Sequence, residues 1–254
     1  MEYKLLEISA DNIDEYGIYC LKNKKLPGYS KKIDWFKENI NNGLKIIIAI
    51  DKEENQIGYI EYMPSEIAYR PLKAKNFYFI QCMVIFKKIN TNQGLGSALI
   101  KACEEDAIRN NKYGVCTFSS DGSWMANKHI FIKNNYSIID KKGRFELLGK
   151  YFNSNTTEVP TFIDWERNLT KYKGWNLVYS NQCPMHHKSV TDLELTAEKE
   201  GINLNIIILN SPNEVQNSPS GFGTFGLIKD GVLLADHYIS KTRFENIIKK
   251  VLLK

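Results

Sequence analysis

The sequence is short of everything that would mark a secreted, metal-bound or membrane-embedded protein. Its five cysteines, Cys20, Cys82, Cys103, Cys116 and Cys183, are odd in number and widely spaced, which suits reduced thiols and speaks against a disulfide framework or a zinc pattern. No apolar run approaches the length of a bilayer span, so no membrane partner is expected. The start, Met1-Glu2-Tyr3-Lys4, carries no basic stretch followed by an apolar one, and the cytoplasm is the expected location. Net charge is only +5, with lysines spread along the chain and acids interleaved. A dense basic stripe with aromatics is missing, so nucleic acid is not an expected partner. There is no internal repeat and no low-complexity segment.

What remains is an ordinary globular composition, 43% hydrophobic and 25% charged over 254 residues, enough for one large domain or two small ones, of which two is the expectation. The informative stretch is Asn90-Thr91-Asn92-Gln93-Gly94-Leu95-Gly96-Ser97-Ala98-Leu99-Ile100. Before it, Asn76 to Phe86 is aromatic and β-branched and reads as a strand; after it, Leu95, Ala98, Leu99, Ala102 and Cys103 fall at helical spacing. A glycine turn thus leads into a helix start, whose first N–H groups lack internal partners and sit at the positive end of the dipole. Gly94 and Gly96 leave room for an anion to approach them. The Gly-Lys-Ser/Thr of a Walker loop and the third glycine of a dinucleotide fingerprint are both absent.

Periodicity predicts strands at Tyr3–Ile8, Leu44–Ile50, Gln56–Met63, Asn76–Phe86, Gly114–Ser119, Tyr136–Asp140 and Phe145–Tyr151. Helices are predicted at Ser9–Leu21, Ser30–Asn41 after a break at Pro27-Gly28, in the glycine-led segment, and at Trp124–Asn134. Pro64 to Lys75 reads as a polar connection. The turn-rich segment from Asn153 to Pro160 suggests a boundary. Beyond it come a strand Trp175–Tyr179, a helix opened by Cys183-Pro184 and ended near Glu200, a strand Leu204–Leu209, a hairpin Phe225–Lys229 with Val232–Ala235, and a helix Lys241–Leu253 capped by Ser240.

With both glycines in place, Thr91-Asn92-Gln93-Gly94-Leu95-Gly96 resembles the acyl-CoA pyrophosphate loop of the GNAT N-acetyltransferases, Gln/Arg-x-x-Gly-x-Gly/Ala, with Thr91 where that family usually has Gln or Arg. The resemblance covers about the first 150 residues. It implies a mixed α/β (α+β) sheet flanked by helices, in which the strand before the loop and the next strand splay apart to admit pantetheine. It further implies acetyl-CoA as acyl donor, with no metal, held by Val84, Ile85 and Phe86 at the strand end and by Gln93, Gly94, Leu95, Gly96, Ser97 and Ala98. Asn127 would bond the pantetheine arm. Aligning Asn135-Tyr136 with the family's Gly-Phe puts Phe131 where many members have the tyrosine that protonates the departing thiolate, and phenylalanine has no proton to give. Trp175 to Pro184 resembles the start of the YoaP-like domain, a smaller thioredoxin-fold unit found behind such domains. The expected division is 1–152 acetyltransferase, 153–170 linker and 171–254 YoaP-like.

Transfer to an amine needs a base and an acid. Glu61 is the single carboxylate in its apolar strand and the candidate base, although alternation does not settle its face and a solvent-facing strand residue is the slightly favoured reading. Glu66 and Tyr69 are readable as acceptor-site or plain loop residues, and Cys82 as a buried small hydrophobe. Cys183, at a helix start and followed by His186, His187 and Lys188, is a candidate thiol of lowered pKa. His186 stands where a dithiol motif needs its second cysteine, and Gly223-Thr224 where thioredoxin folds set a proline. Cys183, His186 and His187 are also readable as metal ligands, but neighbouring histidines point apart and no fourth ligand is visible, so no metal is expected. Three functions follow: an acetyl-CoA-dependent N-acetyltransferase for a small-molecule or peptide amine, a degenerate CoA-binding or interaction protein, and a single-thiol redox protein centred on Cys183.

Overall fold

The computed structural model describes residues 2–18, 20–21, 23–86, 93–122, 124–153 and 155–253. They form two compact units. The first contains 1–22, 36–68 and 72–162; the second contains 163–254 together with two earlier stretches, 23–35 and 69–71.

The first unit is built on one seven-stranded sheet. Its strands are β1 (Tyr3–Ile8), β2 (Lys45–Asp51), β3 (Gln56–Pro64), β5 (Phe77–Ile85), β6 (Gly114–Ser120), β7 (Ser137–Lys142) and β8 (Phe145–Tyr151). They lie in the order β1-β2-β3-β5-β6-β8-β7, antiparallel except for β5 and β6, which run parallel. A short pair, β4 (Leu72–Lys73) with β9 (Thr161–Phe162), forms a separate two-stranded sheet that packs on the large one through Phe162 against Phe118 at 4.6 Å. The connection from β5 to β6 is the helix α3 (Leu95–Arg109), and α4 (Lys128–Lys133) follows β6. This is the mixed sheet flanked by helices that the resemblance implies.

α3 packs on one face, where Leu99, Ile100 and Cys103 meet Ile60, Tyr62 and Ile80. Asp106 pins it there, accepting from Lys45 Nζ at 3.0 Å and from the Tyr62 hydroxyl at 3.1 Å. The opposite face carries Phe77, Phe79, Phe118 and Leu147, with Phe79 edge-on to Phe118 at 5.2 Å. Burying aromatic and aliphatic area on both faces is what makes the middle strands read as unbroken apolar runs.

Several elements differ from expectation. Helix α1 is a single turn, Ile13–Tyr16, because Gly17 at φ 67° turns the chain away. Helix α2 spans Pro27–Ile40, so Pro27 begins the helix where a break was expected; a proline in the first turn forfeits no helical hydrogen bond. Helix α4 is shorter than the expected Trp124–Asn134, since Asn127 caps it. The connection after β3 is not a polar loop: Ser65, Ala68, Tyr69, Arg70 and Leu72 are all buried.

The second unit has a four-stranded sheet of β10 (Trp175–Tyr179), β11 (Leu204–Ile208), β12 (Phe225–Lys229) and β13 (Val232–Ala235), ordered β11-β10-β12-β13. β10 and β11 are parallel; the other pairs are antiparallel. Helices α5 (Met185–Lys199), α6 (Pro212–Gln216) and α7 (Lys241–Leu252) complete it. Ser240 caps α7 as expected, accepting from the Arg243 N–H, and α6 is an unanticipated turn closed by a Ser211–Glu214 capping box. Among the described residues no helix is long and apolar enough to cross a membrane.

At Gly114, the first residue of β6, a methyl group would collide with the Lys150 carbonyl oxygen and come within 2.8 Å of the Phe77 ring. Gly114→Ala is therefore expected to cost about 1–3 kcal/mol, the usual penalty for overpacking, read as a lower midpoint in chemical unfolding.

Candidate active site

The site begins where two strands part. β5 and β6 are paired from Phe77 opposite Gly114 to Ile80 opposite Thr117, and no further. Both strands continue, β5 to Ile85 and β6 to Ser120. Each keeps its outer antiparallel neighbour over that length, β3 for β5 and β8 for β6. The sheet therefore opens in its middle, and main-chain groups of 81–85 and 118–120 face a gap without a ladder partner in each other. Buried backbone groups need partners, so an extended ligand carrying amides suits such a gap.

Two features hold the fork open. At the last shared pair the Thr117 hydroxyl donates to the Ile80 carbonyl at 3.0 Å. One residue on, Glu61 is opposite Cys82 while Tyr62 is opposite Ile80, which leaves Gln81 as the extra residue of a bulge. A bulge bends its strand, and this one does so where β5 leaves β6.

The start of α3 lies at the same end of the sheet. A parallel β5-α3-β6 connection runs the helix back against the strands. At the far end the Asn76 carbonyl accepts from the Tyr113 N–H at 2.7 Å; at the near end Leu95 lies beside Gly58, which is paired with Ile85. Gly94 precedes the helix at φ 82° and provides no side-chain cap. The helical bonding begins with the Ala98 N–H to the Gly94 carbonyl at 3.0 Å, so the N–H groups of Leu95, Gly96 and Ser97 are not used by the helix. Gly96 allows close packing of α4, since a Cβ there would stand 3.3 Å from Ile130. Asn134 Nδ2 ties the two helices together, donating to Ser97 Oγ at 3.1 Å and to the Ile130 carbonyl at 2.7 Å.

The structure gathers most of the expected cofactor residues around this opening. Val84, Ile85 and Phe86 lie at the end of β5 and are at least partly exposed; the Phe86 N–H donates to the Ile57 carbonyl at 2.8 Å. Gln93, Gly94, Leu95, Gly96, Ser97 and Ala98 form the helix start, while Asn90, Thr91 and Asn92 lie outside the described residues. Asn127 Oδ1 is committed to capping α4, accepting from the His129 N–H at 2.9 Å, so any contact with a cofactor falls to its Nδ2. Phe131 is 0% exposed and edge-on to Tyr136 at 5.5 Å, inside the core.

Glu61 is 1% exposed, which removes the solvent-facing reading. Its neighbours Ile60 and Tyr62 face the α3 side, and Glu61 lies on the other face with Tyr59. There the Tyr59 hydroxyl and Cys82 Sγ are 2.9 Å apart. Sequence reasoning did not find Tyr59 or Thr117. Glu66 braces the chain locally, accepting from the Asn76 N–H at 2.7 Å, and Tyr69 is stacked edge-on with Trp35 at 5.0 Å in the second unit.

Cys183, partly exposed, lies just before α5 and its carbonyl accepts from the His186 N–H at 3.2 Å. The cationic support expected from the histidines is missing. His186 is fully buried with Nδ1 at 3.1 Å from the Ser180 carbonyl, and burial pushes its pKa down to about 3. Burial also lowers that of His187, whose Nε2 is 3.0 Å from Asn181 Oδ1. Lys188 is paired with Asp192 at 2.7 Å. Gly28 abuts the Pro184 carbonyl so closely that a Cβ has no room. No group of three or more metal-ligating side chains occurs among the described residues.

Two outcomes follow from these contacts. Thr117→Val keeps the shape but removes the hydroxyl's bond to the Ile80 carbonyl, and a loss of about 1 kcal/mol is expected in urea unfolding. His186 is neutral when folded and binds a proton near pH 6.5 when unfolded, so the unfolded state holds more protons between pH 6.5 and 3 and stability falls as pH falls through that window. From pH 7 to 5 this one group should remove up to about 2 kcal/mol, and His186→Asn should flatten the pH dependence of unfolding there.

No family model matches the chain. It is similar to a Bacillus subtilis protein described as an uncharacterized N-acetyltransferase YoaP, with 26% identity over 249 residues, 96% of this chain and 97% of that one. Among solved structures, a GNAT-family acetyltransferase from Staphylococcus aureus Mu50 is 14% identical, with 60% of this chain and all of that one covered and a TM-score of 0.46. The PaiA N-acetyltransferase of Thermoplasma acidophilum, solved with coenzyme A, is 13% identical with the same coverage and a TM-score of 0.43.

Proposed function

We propose that this chain is an acetyl-CoA-dependent N-acetyltransferase acting on a small-molecule or peptide amine. The observation that carries the reading is the fork between β5 and β6 at the end of the sheet where α3 begins. A long ligand with amides along its arm and a pyrophosphate at one end suits both parts. The amides take the place of the missing ladder partners, and the phosphate oxygens accept from the N–H groups of Leu95, Gly96 and Ser97. The similarity to the Bacillus subtilis protein over nearly its whole length supports the same activity.

In this reading the protein orients the amine against the thioester and handles protons. Glu61, on β3 beside the strand that borders the fork, takes the proton of the attacking amine, directly or through water. The second unit is read as a thioredoxin-type domain, since its β10-α5-β11 and β12-β13-α7 order is the one expected of that fold. Its Cys183 is then a binding or positioning thiol.

At one hundred times its dissociation constant, CoA should stabilise the protein by about 2.7 kcal/mol, seen as a rise in Tm; no rise with CoA or acetyl-CoA would remove the basis of the proposal. Release of free CoA from acetyl-CoA across a panel of polyamines, amino acids and peptides then separates an enzyme from a protein that only binds CoA.

A further inference from the structure

We infer that Cys82, paired with Tyr59, is the acid that protonates the departing CoA thiolate. The inference rests on the acetyl-transfer reading above and goes beyond it by naming the proton donor. Phe131, at the position where a tyrosine was expected, has no acidic proton and is sealed in the core. The proton then comes from water or from another group at the opening, and a side chain stands there to give it.

Cys82 is placed for it. It follows the bulge residue Gln81, so it lies two residues beyond the last pair that β5 shares with β6, on the strand that borders the gap. It is partly exposed, whereas Cys103 and Cys116 of the same unit are buried and burial pushes their thiols well up. Directly across the strand pair is Glu61, and along the same face the Tyr59 hydroxyl is 2.9 Å from the Cys82 sulfur. Tyr59, Glu61 and Cys82 are thus three ionisable groups on one side of two adjacent strands, with the cysteine nearest the fork.

The step balances. The amine nitrogen bonds to the thioester carbonyl carbon, the C–S bond breaks, and its electron pair goes to the CoA sulfur. That sulfur takes the proton of Cys82, and the Tyr59 hydroxyl donates a hydrogen bond to the thiolate left behind. The proton given up by the amine, collected by Glu61, returns to Cys82 across the strand pair or through water.

The test uses the full chain as wild type, Cys82→Ala, Cys82→Ser and Tyr59→Phe. CoA should raise the Tm of all four, which shows that the variants fold and bind. With the best amine of the panel, Cys82→Ala should lose about 100-fold in kcat, the lower bound for a general acid, with KM for acetyl-CoA within about twofold. The fall of kcat at alkaline pH should vanish in that variant and move in Tyr59→Phe. Serine should not rescue, because its hydroxyl is far too weak an acid. Independently of any amine, iodoacetamide should alkylate Cys82 in the free protein, and CoA should slow this at least fivefold while Cys20 is unaffected. A Cys82→Ala enzyme with unchanged kcat and pH profile would overturn the inference, as would a Cys82 that the reagent never reaches or labels equally with CoA bound. If CoA does not bind the wild type, the acetyltransferase reading fails first and takes this one with it.

Discussion

The parting of β5 from β6 at Ile80 and Thr117 is the constraint on which the first unit turns. Each strand is gripped on its outer side by an antiparallel neighbour over its full length, so neither can shift to close the gap without giving up that ladder. The Thr117 hydroxyl bonded to the Ile80 carbonyl fixes the point of divergence, and the bulge at Gln81 sets the direction in which β5 leaves. An open seam inside a sheet is costly because buried main-chain groups want partners.

The surrounding packing serves that seam. Asp106, near the far end of α3, is held by Lys45 and Tyr62, which anchors the helix to the sheet away from the opening. Its first turn is fixed by the Asn134 bonds to Ser97 and Ile130. The helix start is thereby held in place without using its own N–H groups, an arrangement suited to an anion. Rigid supports around a few open donors spare the protein the cost of ordering them on binding.

The local parts of this design were legible in the sequence. The glycine turn, the aromatic strand before it and the apolar spacing after it mark a strand, a loop and a helix start by short-range rules. The Ser240 cap and strands such as Trp175–Tyr179 fall where those rules put them. What depends on distant pairing was not legible from residues alone. The face of Glu61 is hidden by simple alternation, since it is long-range packing that buries that side of β3 as completely as the α3 side. Gly28 is a glycine for a reason that local rules do not reach: the Pro184 carbonyl, over 150 residues away, stands where its Cβ would be. The connection after β3 looked polar because its lysines and arginine outweigh the eye's count of Ala68, Tyr69 and Leu72, all buried. The splaying of the strands came from the family resemblance and not from any periodicity.

Cofactor and chemistry are carried by different parts of the same strand. The backbone edge of β5 beyond Ile80, with the start of α3, offers main-chain groups and depends little on which side chains are present. The side chains Tyr59, Glu61 and Cys82 belong to one face of β3 and β5 and can change without disturbing that edge, because side-chain direction alternates across a strand while the ladder does not. Phe131 illustrates the separation: a core phenylalanine there leaves the opening intact and removes one route for a proton. A fold divided in this way can keep its backbone edge while the side chains beside it are exchanged, and Tyr59, Glu61 and Cys82 are the ones this chain carries there.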